Sequence, residues 1–173
     1  MGIRYYAYAF DASRTQRALA DPYSVIGADP LADAWGLVPF AGGGSTNFQR
    51  SVPKRDLLCL DKAWSELQAM TAGPGGSSSG ARPAYRMFEG AVRWTELGWD
   101  AWVRAITPSE ADMILPDLRR LVDSYVPVHS DPAVTAGGEI EKWADYVGAH
   151  LDAAHEFVDG VVRDGRGFAY LIG

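Results

Sequence analysis

The hydrophobic pattern predicts a strand at each end of the chain. Residues 3–10 are mostly β-branched and aromatic and stop at Asp11, which is typical of a strand. Residues 168–172 form a second apolar run, which Gly165 and Gly167 separate from the helical pattern before it. A further strand is predicted over residues 99–106. We expect both ends of the chain to lie in one sheet.

The strongest helical period lies between residues 138 and 163. On a helical wheel of 100° per residue, its apolar positions fall within a stripe about 80° wide. This stripe consists of Ile140, Trp143, Val147, Leu151, Ala154, Val158 and Val161. The acidic positions opposite it are Glu141, Asp145, Asp152, Glu156 and Asp159. The pattern predicts a long amphipathic helix whose carboxylates face solvent.

Two further helices are predicted from their caps. Residues 107–110 (Thr-Pro-Ser-Glu) combine the capping-box spacing with Pro at the first helical position, and an apolar period continues to Tyr125. Pro116 lies inside that run, so we expect a kink or a break there. Asp61 is the predicted N-cap of another helix, and Gly73 is predicted to end it in the left-handed conformation.

Turn residues dominate the remaining segments. Asp11 or Ser13 is predicted to cap a short helix. Residues 21–53 are irregular but contain scattered aromatic side chains, so we expect them to wrap the core. Residues 73–80 (GPGGSSSG) predict a flexible loop within the domain. Residues 85–94 fit either short strands or a turn of helix.

Length and composition indicate one domain. The chain has 173 residues, of which 47% are hydrophobic and 22% are charged, as in ordinary globular proteins. This length gives a sizeable core but argues against two independent ones. Together with the element pattern, it predicts a single α/β domain over residues 1–173. Its mixed sheet includes the N- and C-terminal strands and is covered by helices.

Charge and cysteine content exclude several classes of protein. The chain has 16 Lys and Arg against 22 Asp and Glu, and this net charge of −6 disfavours nucleic-acid binding, which depends on clustered cations. The single cysteine, Cys59, excludes an intrachain disulfide and a multi-thiolate metal site. No apolar run approaches the length of a membrane span, and the N-terminus lacks the layout of a signal peptide. We expect a soluble cytoplasmic domain.

Residues 57–73 (LLCLDKAWSELQAMTAG) resemble the signature segment of the YfbM-like family, also called domain of unknown function 1877. That family shows an apolar lead-in, Asp-Lys-x-Trp, a Leu and a helix end such as Thr-Gly. The opening Met-Gly-Ile, residues 87–90 (MFEG), residues 102–108 (WVRAITP) and the C-terminal strand are similar to family features in the same order. Residues 21–53 have no counterpart.

The resemblance implies a compact α/β fold and no established activity. Members often carry His where Gln68 stands, and Gly where Glu89 stands. If that His carried chemistry in the family, this chain has lost it.

Two glycine-rich motifs lack the context of a catalytic site. Residues 76–80 spell G-x-S-x-G, but no strand precedes them and no helix follows, as a nucleophile elbow requires. Residues 42–46 (GGGST) lack the lysine of a phosphate-binding loop. His150 and His155 are five apart on a helix, which prevents them from sharing a metal, whereas His155 and Asp159 are spaced to pair. We predict no metal site and no cofactor.

Six tryptophans are the least usual feature of the composition. Trp64 and Trp143 fall on apolar helical faces and are predicted to lie in the core. A second group is clustered near arginines and is suited to stacking on a ligand in a concave surface, because Trp offers a large apolar face and one N–H donor. The candidates in this group are Trp94, Trp99, Trp102 and Arg104.

Asp61 and Lys62 carry the family resemblance most directly. The N-cap is a sufficient structural role for Asp61. A lysine in the first helical turn is slightly unfavourable, because that end of the helix dipole is positive. A specific partner is therefore expected for Lys62: an acidic side chain, a carbonyl or a bound anion. Both residues join the candidate ligand-binding set.

Two functions follow from these candidates. The leading hypothesis is a non-catalytic binding protein of bacterial type that recognises a protein partner. Its acidic balance favours a basic partner, and a narrow version is an immunity-type role against a toxin. The alternative is an enzyme that acts on a small anionic metabolite through Asp61, Lys62 and Arg104. An enzyme requires polar groups that converge in a pocket, whereas a binding protein requires an exposed apolar or acidic patch.

Overall fold

A computed structural model describes residues 2–37, 49–126 and 137–173 of the chain. These residues form six strands and five α-helices, together with short 3-10 segments. The strands are β1 (Tyr5–Phe10), β2 (Leu57–Asp61), β3 (Arg93–Thr95), β4 (Gly98–Asp100), β5 (Trp102–Ile106) and β6 (Gly167–Ile172). The α-helices are α1 (Thr15–Ala20), α2 (Pro30–Trp35), α3 (Trp64–Thr71), α4 (Pro108–Ser124) and α5 (Gly137–Arg163). Short 3-10 segments span Ala12–Arg14, Pro22–Val25, Pro74–Gly76 and Pro83–Met87.

The main sheet has four strands in the order β2-β1-β6-β5. All three strand pairings in this sheet are antiparallel, whereas the sequence predicted a mixed sheet. The terminal strands β1 and β6 are neighbours at its centre, with Tyr5 opposite Ile172. This arrangement confirms the predicted α/β fold with both terminal strands in the sheet. No helix among the described residues has the length and apolarity to cross a membrane.

Helices and helical turns cover both faces of the sheet. Because side chains alternate along a strand, Tyr5 and Ala7 point to one face while Tyr6 and Tyr8 point to the other. The first face packs against α3, α4 and α5 in the larger core, which includes Phe168, Tyr170, Leu118, Leu151 and Val158. The second face packs against α1, α2 and the turn between them through Phe10, Ala18, Val25, Ile26 and Ala34.

Helix α5 has the predicted amphipathic pattern. Val147, Leu151, Ala154, Val158 and Val161 are all buried. Trp143 is the exception on this stripe, since it is 40% exposed and stacks on Tyr146, with ring centroids 5.1 Å apart. The prediction of a core Trp143 is therefore wrong, because only one face of its ring is covered by a neighbouring ring. Trp64 is partly buried against the larger core.

Helix α4 begins at the predicted capping box. The Glu110 amide donates to Thr107 Oγ1 at 3.2 Å, and the Thr107 amide donates to the Glu110 carboxylate at 2.9 Å. The helix continues through Pro116 to Ser124, so the expected break does not occur. Packing explains this continuity, because Ile114 and Leu118 on either side of the proline are buried in the larger core.

The loop after α3 differs from the prediction at its first residue. Gly73 has φ −73° and ψ −178°, so it is extended rather than left-handed, and α3 ends at Thr71. A side chain at Gly73 would collide with the Ser79 carbonyl, which explains the glycine. The loop closes through a hydrogen bond from the Gly73 amide to the Ser77 carbonyl at 2.8 Å. Its serines therefore lie in a turn without the flanking strand of a nucleophile elbow.

The segment after α1 packs on the second face of the sheet, as expected for a wrapping segment. The Asp21 and Asp29 side chains cap its 3-10 turn and α2 by accepting from the amides of Tyr23 and Ala32. The short helix that the sequence predicted appears as a 3-10 turn followed by α1, and no Asp11 side-chain cap forms. The glycines at 42–44 and His129 lie outside the described residues.

Residues 85–106 contain a turn of helix and three strands. The Pro83–Met87 segment is a 3-10 turn, and β3 follows it. The single strand predicted over residues 99–106 is divided at Ala101, because β4 pairs with β3 whereas β5 pairs with β6. Gly98, with φ +135°, closes the β3–β4 hairpin in a conformation that favours glycine. The hairpin forms a second, two-stranded sheet beside the main one.

Candidate functional site

Asp61 is the last residue of β2 and not a helix cap. Helix α3 begins at Trp64, and its N-cap is Ala63 without a side-chain hydrogen bond. The Asp61 carboxylate instead accepts from Arg4 Nε at 2.6 Å and from the Tyr146 hydroxyl at 2.9 Å. The predicted cap is wrong because two distant donors occupy both carboxylate oxygens.

These contacts join the edge strand to the long helix. Tyr146 lies on α5 between the rings of Trp143 and His150, with centroids 5.1 and 4.2 Å away. Burial and then the hydrogen bond to Asp61 raise the pKa of Tyr146 to about 12. The hydrogen bond with Asp61 also raises the pKa of Arg4. The group formed by Arg4, Asp61 and Tyr146, hereafter the Asp61 triad, is a structural tie across the sheet edge.

Lys62 follows the triad and is exposed. It precedes α3, so the expected conflict with the helix dipole does not arise. Its backbone N–H donates to the Tyr146 hydroxyl at 3.4 Å, and its Cε lies near Gly2. The Lys62 ammonium forms no ion pair within the described part of the chain. The sequence predicted that this side chain has a partner, either an acidic side chain, a carbonyl or a bound anion. Among the described residues, the end of this side chain lies beside Gly2.

Arg104 lies on the opposite edge strand, β5, within a network of ion pairs. Its guanidinium pairs with the half-buried Glu89 and lies 3.8 Å from Glu110. Glu110 also accepts from Arg86 at 2.6 Å. Burial raises the pKa of Glu110, but hydrogen bonds from Thr107 and Arg86 outweigh that effect, so its pKa is lowered overall. Arg104 therefore has carboxylate partners within the protein.

The candidate tryptophans belong to the β3–β4 hairpin and to β5. Trp94 and Trp99 are paired across the hairpin, and their rings meet edge to face with the centroids 5.5 Å apart. Trp94 is 69% exposed, and Leu97 in the turn is fully exposed. We call Trp94, Leu97 and Trp99 the hairpin patch. These side chains project from a two-stranded hairpin, so they form a protruding surface rather than the expected concave one.

Two contacts hold the hairpin in place. Arg93 and Asp100 form an ion pair across its strands at 2.6 Å. Trp102 follows the hairpin directly, and its ring lies against Gly90 so closely that any larger residue there would collide with it. The ion pair joins the two strands to each other, and the Trp102–Gly90 contact holds the base of the hairpin, while its apolar side chains remain exposed.

The strand register separates the predicted site residues into two places. Asp61 is opposite Tyr5, Tyr5 is opposite Ile172, and Ile172 is opposite Trp102. Asp61 and Trp102 are thus at the same end of the sheet but on opposite edges, three strand spacings or about 14 Å apart. The structure places Trp102 and Arg104 on one strand, β5, which follows the hairpin in the chain. It does not bring Asp61 and Lys62 to Arg104, so the three-residue enzyme site does not assemble.

Two of the grooves are each lined by several cationic side chains. A groove of about 840 Å³ lies between α4 and the Pro83–Met87 turn, and its charges are internally paired, as in the Arg82–Asp117 ion pair at 2.8 Å. A smaller groove of about 320 Å³ lies between residues 50–59 and α5, and Arg50, Lys54, Arg55 and Arg163 line it. This second group could not be predicted from the sequence, because Arg163 is more than a hundred residues away from the other three cations.

Among the described residues, His150, His155 and Cys59 are not arranged together as a reactive centre. Asp159 pairs with Arg163 at 3.5 Å, whereas the buried Nε2 of His155 has no hydrogen-bond partner among the described residues. Burial raises the pKa of the Cys59 thiol, which favours its neutral form. In the described ranges, no three His, Cys, Asp or Glu side chains are placed to hold a metal ion.

Comparison with known proteins finds no match to this chain. No protein-family model matches it. No curated protein and no solved structure matches it either. The YfbM-like resemblance of residues 57–73 stays a prediction from the sequence, and the function is argued from the geometry alone.

Proposed function

We propose that this chain is a non-catalytic protein-binding domain that docks a basic protein partner through the hairpin patch. The observation that carries the proposal is the exposure of Trp94 and Leu97 at the end of a braced hairpin. Large apolar side chains in water are unfavourable, and tryptophan is enriched among the residues that dominate binding energy at protein interfaces. A protruding patch of this kind fits an apolar pocket on a folded partner.

Charge argues for a basic partner. The chain has a net charge of −6. Within the hairpin, Arg93 and Asp100 neutralise each other, whereas Glu96 in the turn has no ion-pair partner among the described residues. A basic rim around the partner's pocket would complement Glu96 and speed association. A basic toxin in the cytoplasm is one member of this class of partners.

Among the described residues, the three candidates of the enzyme alternative do not converge on one site. Asp61 is engaged by Arg4 and Tyr146, and Arg104 is engaged by Glu89 on the other edge of the sheet. General acid–base chemistry needs such groups within reach of one substrate. We therefore favour the binding proposal.

The test compares proteins retained from native host lysate by tagged wild-type and variant chains, with native mass spectrometry of the eluted complexes. Trp94→Ala combined with Leu97→Ser removes the two most exposed side chains of the patch without touching the Arg93–Asp100 ion pair. Trp143→Ala is the matched control, since Trp143 is also a partly exposed tryptophan but lies on α5. Circular dichroism checks that every variant is folded.

We expect one basic protein to be retained in fixed stoichiometry by the wild type and by Trp143→Ala. The double variant should retain it at least tenfold less, because interface tryptophans typically contribute about 2 kcal/mol or more. Equal retention by the double variant, or a companion that is acidic, would contradict the proposal.

A further inference from the structure

A basic groove lies on the edge of the sheet opposite the hairpin. Its walls are residues 50–59, which include most of β2, and the C-terminal half of α5. Its volume of about 320 Å³ is within the range of small-molecule sites. Ala153 and Gly160 form an apolar floor between the charged side chains, next to Leu58 and Phe157, whose side chains are buried in the larger core.

The charge at this groove is opposite to that of the whole chain. Four cations line it with one carboxylate, Glu156, which pairs with Lys54 at 2.9 Å, and Arg163 pairs with Asp159 at 3.5 Å on the same helix. Arg55 reaches Asp56 only at 3.4 Å. Arg50 forms no ion pair with any described residue, and its one hydrogen bond, at 3.3 Å, goes to the Leu57 carbonyl. Within the described part of the chain, most of its guanidinium N–H donors are therefore without a partner and suit an anionic ligand.

Gly160 provides a second, independent observation. It lies inside α5 and lines the groove, at a position where glycine weakens a helix. A Cβ there would be 3.8 Å from Arg163 Nη2 and would meet no closer atom, so packing does not require the glycine. Gly148 on the same helix differs, because a Cβ there would approach the Tyr125 ring to 2.9 Å. The lack of a side chain at Gly160 keeps the groove open.

We propose that this groove binds a small amphiphilic anion, with an apolar body on the Ala153–Gly160 floor and a carboxylate or phosphate head at Arg50. The head would be bound by charge-assisted hydrogen bonds, for which the planar guanidinium is suited. The floor explains why an apolar body is needed in addition to the charge. The site is separate from the hairpin patch, and binding here does not depend on a protein partner.

The probes for this site are octyl phosphate and octanoate, titrated into the full chain by calorimetry. Inorganic phosphate has the charge without the body, and octyltrimethylammonium has a similar body with the opposite charge. We expect one site for octyl phosphate or octanoate, with at least tenfold weaker binding of inorganic phosphate and of the cation. The tighter of the two anionic amphiphiles identifies the head group.

Two variants locate the bound molecule. Gly160→Leu fills the groove while improving helix propensity, and it should weaken octyl phosphate binding at least tenfold in a folded protein. Arg50→Gln removes the cation without a carboxylate partner and should weaken binding about fivefold or more. Their controls are Ala149→Leu, at an exposed position on α5 outside the groove, and Arg119→Gln, an exposed arginine of α4. Both controls should bind like the wild type.

Several results would overturn the proposal. Equal affinity for inorganic phosphate and octyl phosphate would show a surface ion without use of the floor. Equal affinity for the cationic amphiphile would remove the role of the arginines. Unchanged binding in Gly160→Leu would place the amphiphile elsewhere, and absence of binding by both anionic probes would refute the site itself.

Discussion

At the scale of single residues, the Asp61 triad is the tightest polar feature at the β2 edge. Asp61 has φ +43°, the left-handed conformation that non-glycine residues adopt at a cost. Its hydrogen bonds to Arg4 and Tyr146 compensate for that cost, because both donors reach the carboxylate from fixed positions. At this residue the backbone strain destabilises the folded state, whereas the ion pair with Arg4 stabilises it.

Substitution of Asp61 separates these two effects. Asn tolerates positive φ and keeps an oxygen acceptor, so Asp61→Asn should lower the free energy of unfolding by only about 1 kcal/mol. Ala loses the acceptor and is strained at this φ, so Asp61→Ala should cost about 2–3 kcal/mol. Urea denaturation measures both values. Equal losses in the two variants would show that neither the positive φ nor the remaining acceptor contributes to stability.

Tyr146 predicts a specific loss of stability at alkaline pH. Its pKa is raised from 10.0 to about 12, so the folded state holds the phenolic proton more tightly than the unfolded state. The stabilisation is complete below pH 10 and is lost as the pH rises towards 12. Tyr146→Phe lacks this hydroxyl and should be less stable than wild type near neutral pH.

The free-energy difference between wild type and Tyr146→Phe should shrink between pH 10 and 12. Denaturation curves at several pH values provide this difference and cancel the contributions of the other tyrosines. A difference that stays constant across that range would contradict the raised pKa of Tyr146.

The sequence singled out Asp61 but assigned it the wrong role. A carboxylate before a helix has the same local pattern whether it caps the helix or ends a strand. The deciding donors, Arg4 and Tyr146, are 57 and 85 residues away, so no local signal reports them. Arg104 is similar, because its partner Glu89 is set by tertiary packing.

At the scale of elements, Gly148 and Gly160 in the interior of α5 have different structural roles. Gly148 admits the Tyr125 ring, whose hydroxyl donates to the Ala144 carbonyl at 2.7 Å. Gly160 has no such neighbour and lines the basic groove. The same residue type therefore serves packing at one position and leaves an open surface at the other.

Alanine at each position tests this difference. Gly160→Ala should raise the free energy of unfolding by about 0.5–1 kcal/mol, because the helix gains propensity without a clash. Gly148→Ala should lower it by about 1–3 kcal/mol, since the added Cβ displaces Tyr125. Chemical denaturation of the two variants gives the signs. Stabilisation by both alanines would mean that Tyr125 moves away without cost.

Elements with a strong local pattern could be predicted, and elements defined by pairing could not. The apolar period of α5 and the capping box of α4 are properties of neighbouring residues, and both predictions are confirmed. The division between β4 and β5 at Ala101 depends on which strand each one meets, and those partners are distant in sequence. The same limit applies to the basic groove, which joins residues near 50 to Arg163.

At the scale of the whole molecule, the two proposed surfaces lie on opposite edges of one sheet. The hairpin patch lies directly before β5 in the chain, and the basic groove lies along β2 and the residues before it. Composition predicted an acidic protein, but a net charge of −6 is an average that conceals four cations on one edge. The fold class was predictable because it needs only the approximate elements, whereas the distribution of charge needs their arrangement.

The central pairing of β1 with β6 also determines how the molecule can fold. Arg4 and Gly173 exchange both backbone hydrogen bonds at 2.9 Å, so the sheet is closed by residues from the two extremes of the sequence. Closing a loop of this length is entropically costly and occurs late, which slows folding relative to helical proteins of similar size. Both β1 and β5 pair with β6, so an N-terminal fragment that ends before β6 keeps the β1–β2 pair but leaves β5 without its partner strand, and we expect it not to reach the native fold.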